Sequence, residues 1–284
     1  MHLFVTLTSP ESKRLIGKAA AAMPLVREVQ KNGGRILISP GSTTGYVLEE
    51  LSGEKIDLAR FPCGTVAHGR TCRTPEDRLD TVIWENGCFH VPEPLGRDSA
   101  AKAAASLGRN DLLIKGANAI DREGNAGFLL GNPYGGLILA FAQAHAVRKC
   151  PILIPVGLEK LIASVPAADR AIQGRDGYAR SFGRPCGYFT LDDGIILTEL
   201  EAIEILSGCR AVQVAAGGLG ESAGSVTLSA EGSEAQIEQL YRILKSIKGE
   251  PPVPEWKMLC RDCEKHCDYP YKEPSKTDCE GEQA

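Results

Sequence analysis

Short apolar runs alternate along this chain with longer stretches whose apolar positions recur every three or four residues. Ile36–Leu37–Ile38–Ser39, Asp111–Leu112–Leu113–Ile114–Lys115 and Pro151–Ile152–Leu153–Ile154–Pro155–Val156 each read as a strand buried on both faces. Helical spacing runs from Ser9 to about Val29, where Asn32–Gly33–Gly34 closes it, and again to about Leu51 after the turn at 41–45. It returns over Ser99–Leu107 and Leu137–Arg148. Buried strands alternating with helices predict an α/β fold built on a mostly parallel, covered sheet. Met1–Leu7 reads as a strand or an extended arm. Thr81–Trp84 and Cys88–Val91 flank Asn86–Gly87, a pair suited to positive φ, and predict a β-hairpin.

Beyond Asp192–Asp193–Gly194 the pattern changes. Ile195–Leu197 reads as a strand, Glu199–Leu206 as a helix, Val212–Ala215 and Ser225–Ala230 as paired strands, and Ser233–Ile247 as a last helix. This β-α-β-β-α order predicts a small ferredoxin-like α+β unit. Gly249–Glu250–Pro251–Pro252–Val253–Pro254 then forms a stiff linker. The expected division is a ligand-binding α/β domain over 1–192, the small unit over 193–250, and a linker with a cysteine-rich tail over 251–284.

With 43% hydrophobic and 24% charged residues, the 284-residue chain has ample material for a large core. Its formal net charge of −4 leaves no basic footprint, so no nucleic-acid partner is expected. No apolar stretch approaches the ~20 residues that span a bilayer, and no membrane partner is expected. The first residues lack the basic and apolar regions of a secretory signal, which points to a cytoplasmic location. Ten cysteines are then thiols to be explained by metal binding, redox chemistry or burial rather than by disulfides.

The most informative turn is Gly41–Ser42–Thr43–Thr44–Gly45, between a buried strand and a helix. Such a turn offers backbone N–H groups at the positive end of the helix dipole, with hydroxyls as further donors. A phosphate or carboxylate of a small metabolite is the expected guest; an ordinary strand–helix connection with an N-cap hydroxyl is the simpler alternative. Lys115–Gly116–Ala117–Asn118 follows a second strand and would lie at the same edge of the sheet, where ligands collect. Lys115 would neutralise a phosphate or sit in an ion pair, and Asn118 would hydrogen-bond the guest or turn the chain. Gly135 and Gly136, opening a helix, form a third wall of the pocket or permit close packing. Glu159, Lys160, Arg175, Arg180 and Arg184 are further candidates near strand ends or in a glycine-rich loop.

Gly41–Ser42–Thr43–Thr44 with Tyr46–Val47–Leu48–Glu49–Glu50–Leu51 resembles the phosphate loop and helix of ribose-5-phosphate isomerase A. Asp111–Leu112–Leu113–Ile114–Lys115–Gly116–Ala117–Asn118–Ala119–Ile120–Asp121 is similar to that family's second motif. The resemblance spans about residues 30–160 and extends to glucosamine-6-phosphate deaminase and CoA transferases. It implies a Rossmann-like sheet and a phosphorylated or CoA-like ligand. Lys115, Asn118 and Ala119 stand where the isomerase motif carries its acids, so ribose-phosphate isomerisation is not implied. Asp121 survives at the last motif position and is the candidate general base in these motifs. CoA transferases of this fold use a glutamate nucleophile, for which Glu123 and Glu159 are the nearest options. No nucleotide cofactor is indicated.

Cys260-x2-Cys263-x3-Cys267, followed by Cys279, has the spacing of a metal knuckle. The tail has little apolar material with which to fold, and a structural zinc would supply that order; an iron–sulfur cluster is the alternative, and His266 could replace one thiolate. Cys63, His68 and Cys72, with Cys88 and His90 beyond, form a looser group. Cys150, Cys186 and Cys209 flank apolar runs and read as core. The chain is thus expected to be an enzyme of the isomerase/transferase type on a small anionic metabolite, with a second copy of itself as a candidate partner in a homodimer. The alternative is a non-catalytic ligand sensor or assembly protein using the same pocket and the tail.

Overall fold

The computed structural model describes residues 1–67, 69–74, 79–92, 97–254 and 267–268. The chain begins with β1 (His2–Leu7) and turns into α1 (Ser9–Ala22) through a capping box in which Thr8 and Glu11 bond each other's backbone amides. The helix expected to reach Val29 is two helices. Pro24 lacks an N–H and forces Met23 into extended geometry (φ −61°, ψ 131°), so α1 stops and α2 (Pro24–Lys31) starts afresh.

Then follow β2 (Ile36–Ile38), α3 (Ser42–Ser52), β3 (Gly64–Ala67), β4 (Arg70–Arg73), β5 (Val82–Glu85), β6 (Cys88–His90), α4 (Arg97–Ser106) and β7 (Leu112–Ile114). The β5–β6 hairpin turns at Asn86 (φ 52°) and Gly87 (φ 85°), the pair of positive φ values that a two-residue turn requires. Next come β8 (Ala119–Ile120), β9 (Ala126–Leu130), α5 (Leu137–Arg148), β10 (Ile152–Pro155), α6 (Val165–Ala171), β11 (Gly187–Leu191), β12 (Ile195–Leu197), α7 (Glu199–Ser207), β13 (Arg210–Gly217), β14 (Ser225–Glu231) and α8 (Glu234–Ile247).

The main sheet has the order β12-β10-β7-β2-β5-β6. Its first four strands are parallel to their neighbours, and β5 and β6 extend it as an antiparallel hairpin. The fold is therefore mixed α/β, with a sheet of mostly parallel strands and smaller antiparallel sheets beside it. Ile36–Ile38, Leu112–Ile114 and Ile152–Ile154 are 0–1% exposed, as expected of strands covered on both faces. α1 packs on α3 and α7, while α4 and α5 pack on each other. At the α1–α3 contact a Cβ on Gly17 would stand 2.9 Å from the Tyr46 carbonyl oxygen, so glycine there lets the two backbones touch.

The segment after Asp193 departs from the ferredoxin-like expectation. Ile195–Leu197 does not join the small sheet; it pairs in parallel with β10 at the edge of the main one. The strand that completes the small sheet comes from the other end of the chain, β1, giving the order β1-β14-β13. A three-residue apolar strand carries no mark of its partner, and β10 offers it a fully buried edge. Two further sheets, β11-β9-β8 and β3-β4, also lie beside the main one.

Arg14 fastens these parts together. Its guanidinium bonds Glu49 at 2.6 Å, Glu50 at 3.0 Å and Glu250 at 2.8 Å, and lies over the Tyr46 ring at 4.5 Å. Glu11, at the start of α1, holds Lys248 at 2.7 Å and the Gly249 amide at 2.9 Å. The chain thus leaves α8 pinned across α1 and α3. Among the described residues, no helix is long and apolar enough to cross a membrane.

Candidate functional site

Three parallel strands end side by side. The Ser39 amide donates to the Ile114 carbonyl at 2.9 Å, and the Lys115 amide donates to the Leu153 carbonyl at 3.0 Å. Since Ile38 is in register with Ile114, Ser39 and Lys115 form the next pair beyond the ladder. This edge is where an α/β sheet offers its ligand crevice.

From Ser39 the chain enters α3 through Pro40 and Gly41. Gly41 is the N-cap with no side chain to bond the first turn, and the first helical bond runs from the Gly45 amide to the Gly41 carbonyl at 3.0 Å. The amides of Ser42, Thr43 and Thr44 therefore have no acceptor among the described residues. The three hydroxyl residues divide their roles. Thr44 is fully buried, and its Oγ1 donates to the Ser39 carbonyl at 2.7 Å with Gly41 O at 3.1 Å as a second acceptor, which fixes the turn. Thr43 and Ser39, 2% and 1% exposed, have hydroxyls with no hydrogen-bond partner among the described residues. Leaving such a group unpaired costs about 1–3 kcal/mol, and here two of them stand beside three bare amides. Pro40, Gly41 and Ser42 are only partly buried, which leaves the turn open to solvent. Gly45 is needed for packing: a Cβ there would stand 2.6 Å from Leu58 Cδ2.

The Lys115 side chain is partly buried, and its ammonium makes no hydrogen bond or ion pair among the described residues; it lies 5.9 Å from the centre of the Phe128 ring. Burial pushes its pKa below the ordinary value, Cys63 opposes that shift, and Lys160 adds to it by repulsion. Lys160 reaches over from the end of β10 and donates to the Ala117 carbonyl at 3.0 Å. Lys13, in the first turns of α1, is a second ammonium, after Lys115, without a hydrogen bond or ion pair among the described residues. Burial pushes its pKa down, Lys160 adds to the effect, and Glu159 opposes it. Sequence patterns pass over Lys13, because it occupies an unremarkable position in an amphipathic helix.

Glu199, the first residue of α7, is fully buried at the carboxyl end of β12. One carboxylate oxygen accepts from the Leu158 amide at 2.9 Å, the other has no hydrogen-bond partner within 3.5 Å among the described residues, and the Ser12 side chain and the Glu199 amide lie near enough to favour the charged form. Burial pushes its pKa up to about 7, with repulsion from Glu159 adding to the rise. The Glu159 carboxylate lies against the Cα of Gly157, and its Oε2 also lacks a partner among the described residues.

Other expected site residues have different roles. Asp121 is 5% exposed, and its carboxylate accepts from the amides of Glu123, Asn125 and Val165 and from the Asn125 side chain. Burial raises its pKa, but those bonds outweigh burial and leave it lowered. A carboxylate engaged in this way is a clamp between the β8–β9 turn and the start of α6, and a poor proton acceptor. Asn118 is exposed, and its Oδ1 accepts from the Leu129 amide at 3.0 Å, so it turns β8 onto β9. Gly116 and Ala117 carry the chain between these points. Gly135 and Gly136 take positive φ (76° and 68°) before α5, and a Cβ on Gly135 would collide with Leu139, which favours the packing role.

A cleft of about 580 Å³ lies elsewhere, between Leu158–Leu161 and the β13–β14 end around Gln213–Gly217. Glu159 is its one ionisable wall residue.

Among the described residues, no cluster of three or more His, Cys, Asp or Glu could hold a metal ion. Cys260, Cys263, His266 and Cys279 lie outside the described residues, as does His68. Cys267 is an exposed free thiol. Beside it, Asp268 docks on the loop before β11, accepting from the Ser181 amide at 2.8 Å and from Arg180 at 3.0 Å. Cys63 and Cys72 fall on one face of the β3–β4 hairpin as diagonal neighbours, because Thr65 is paired with Cys72. Cys88 and His90 are exposed on the separate β5–β6 hairpin. Cys150 and Cys209 are buried, whereas Cys186 is only partly so, with its Sγ 3.5 Å from the Arg184 carbonyl. Arg175 Nε is buried without a partner among the described residues. Compared with protein-family models, with curated proteins and with solved structures, this chain finds no match.

Proposed function

We propose that this protein binds a small phosphorylated or CoA-like anionic metabolite at the β2–α3 turn, as an enzyme of the Rossmann-like isomerase/transferase type. One observation carries the proposal. Among the described residues, the buried hydroxyls of Ser39 and Thr43 lack partners beside the bare first-turn amides of α3, and the Lys115 ammonium at the adjoining strand end is unpaired. Donors without acceptors and a cation without an anion are together matched by one guest, a phosphate or carboxylate. The engagement of Asp121 agrees with a reaction other than aldose–ketose isomerisation of ribose phosphate.

Sugar phosphates, nucleotides and CoA esters, titrated in a calorimeter and in thermal melts, test this function. A ligand present at a hundred times its Kd adds about 2.7 kcal/mol of stability. For a chain of this size that corresponds to a rise in Tm of about 5 °C. A stabilising ligand that is also turned over establishes the enzyme; one that is bound unchanged establishes the sensor. A flat response to all three classes removes the anion site.

For the tail we propose one structural metal ion held by Cys260, Cys263, Cys267 and Cys279, with zinc favoured by the thiolate set and an iron–sulfur cluster as the alternative. The pinning of Glu250 by Arg14 and of Asp268 by Arg180 and Ser181 would hold such a module against the domain.

A further inference from the structure

An ammonium inside a protein normally has a carboxylate or a set of carbonyls around it. Lys115 has neither among the described residues: its ammonium lies 5.9 Å from the centre of the Phe128 ring, and the residue is partly open to solvent. A second cation, Lys160, is held by its bond to the Ala117 carbonyl, two residues further along the same loop. An amine that is desolvated, kept beside another cation and still reachable is the setting in which lysine becomes a nucleophile at neutral pH. Burial and Lys160 both favour the neutral amine, and Cys63 is the facing group that opposes them.

We infer that Lys115 forms an imine with the carbonyl group of an anionic aldehyde or ketone whose phosphate or carboxylate is seated at the β2–α3 turn. Ser39 and Lys115 are neighbours at the ends of paired strands, so a compact ligand fastened at the turn brings its far end to Nζ. In the step, the Nζ lone pair forms a bond to the carbonyl carbon. The carbonyl oxygen takes the two amine protons and departs as water, leaving a C=N bond. Protonation of that nitrogen makes it an electron sink for the neighbouring carbon, the chemistry of aldol cleavage, dehydration or decarboxylation. This assignment rests on the anion site proposed above, and Lys160 is its positioning residue.

Pyridoxal 5′-phosphate, a phosphorylated aldehyde, and pyridoxal, which lacks the phosphate, probe the two ideas separately on the full-length protein. After borohydride reduction, peptide mapping locates the adduct. The expected result is a dominant adduct on Lys115, formed at least tenfold faster with the phosphorylated probe and lost in Lys115→Arg. Replacing Lys160 with Met should move the midpoint of the pH–rate profile for labelling upward, since a cation that holds the amine neutral is gone. Equal labelling of Lys115 by both probes would keep the nucleophile and overturn the anion site. Labelling of surface lysines alone, in protein whose turn amides still respond to inorganic phosphate, would overturn the imine and keep the anion site. Surface labelling with no phosphate response would overturn both.

Discussion

Ser39 and Lys115 meet at the carboxyl ends of two adjacent parallel strands, and among the described residues the buried Ser39 hydroxyl has no partner and the Lys115 ammonium no counter-ion. The strands on either side are among the best-packed parts of the molecule, so the pair is held in place by the core rather than by its own bonds. Unpaired polar groups at such a place favour a guest at the expense of the empty protein's stability.

Replacing Lys115 with Met should therefore stabilise the ligand-free protein by about 1 kcal/mol near neutral pH while abolishing anion binding. The pH dependence follows from its lowered pKa. Between that value and the ordinary 10.5, the unfolded chain holds a proton that the folded one does not. Wild-type stability should therefore rise with pH across that window, and the Lys115→Met variant should lose part of the rise. Urea unfolding from pH 7 to 10 measures both effects.

Glu199 predicts the opposite slope. Its carboxyl titrates near 7 when folded and near 4.5 when unfolded, so the folded state holds an extra proton between those values. The stability this contributes is fully present below 4.5 and is lost as the pH rises through about 7. Glu199→Gln should be more stable than wild type at pH 8, by roughly 2–3 kcal/mol, and the gap should close toward pH 5. A gap that does not depend on pH would mean that the carboxyl is not protonated in the folded protein.

Arg14 should behave as a structural hub. Its side chain is 6% exposed, and removing it leaves the 4%-exposed Glu49 carboxylate with only Lys55 and a backbone amide. Arg14→Met is expected to destabilise by about 3 kcal/mol. Glu250→Gln should cost much less and should make the segment after Ile247 more open to protease, because that carboxylate fastens it to Arg14. Equal losses from the two changes would contradict the hub.

The tail makes a separate prediction. Protein purified without oxygen should carry about one metal ion per chain by elemental analysis, and joint replacement of Cys260 and Cys263 with Ser should abolish it. Metal-free protein with a protease-resistant tail would count against the module.

Much of the scaffold can be read from local pattern, because local physics decides it. The apolar runs at 36–38, 112–114 and 152–155 are buried strands, and Asn86–Gly87 is a turn because two positive φ values are needed there. Partner choice is not local. Ile195–Leu197 is as apolar as any strand of a small sheet, yet β10 takes it, and β1 crosses from the far end of the chain to pair with β14. Pro24 interrupts a helix whose apolar spacing continues through Val26 and Val29, so periodicity hides the break. At the site, the glycine and hydroxyl residues announce the turn. The division of labour among Thr43, Thr44 and Ser39, the clamp made by Asp121, and the bond from Lys160 to the Ala117 carbonyl depend on contacts that periodicity does not show.

The most direct measurement is a titration of inorganic phosphate into isotope-labelled protein, following the amide resonances of Ser42, Thr43 and Thr44. An anion seated on the first turn of α3 predicts saturable shifts at those three amides, absent in Lys115→Met and weakened in Thr43→Val. Amides that stay unmoved at the turn while phosphate shifts others would contradict the site from which the proposed function is drawn.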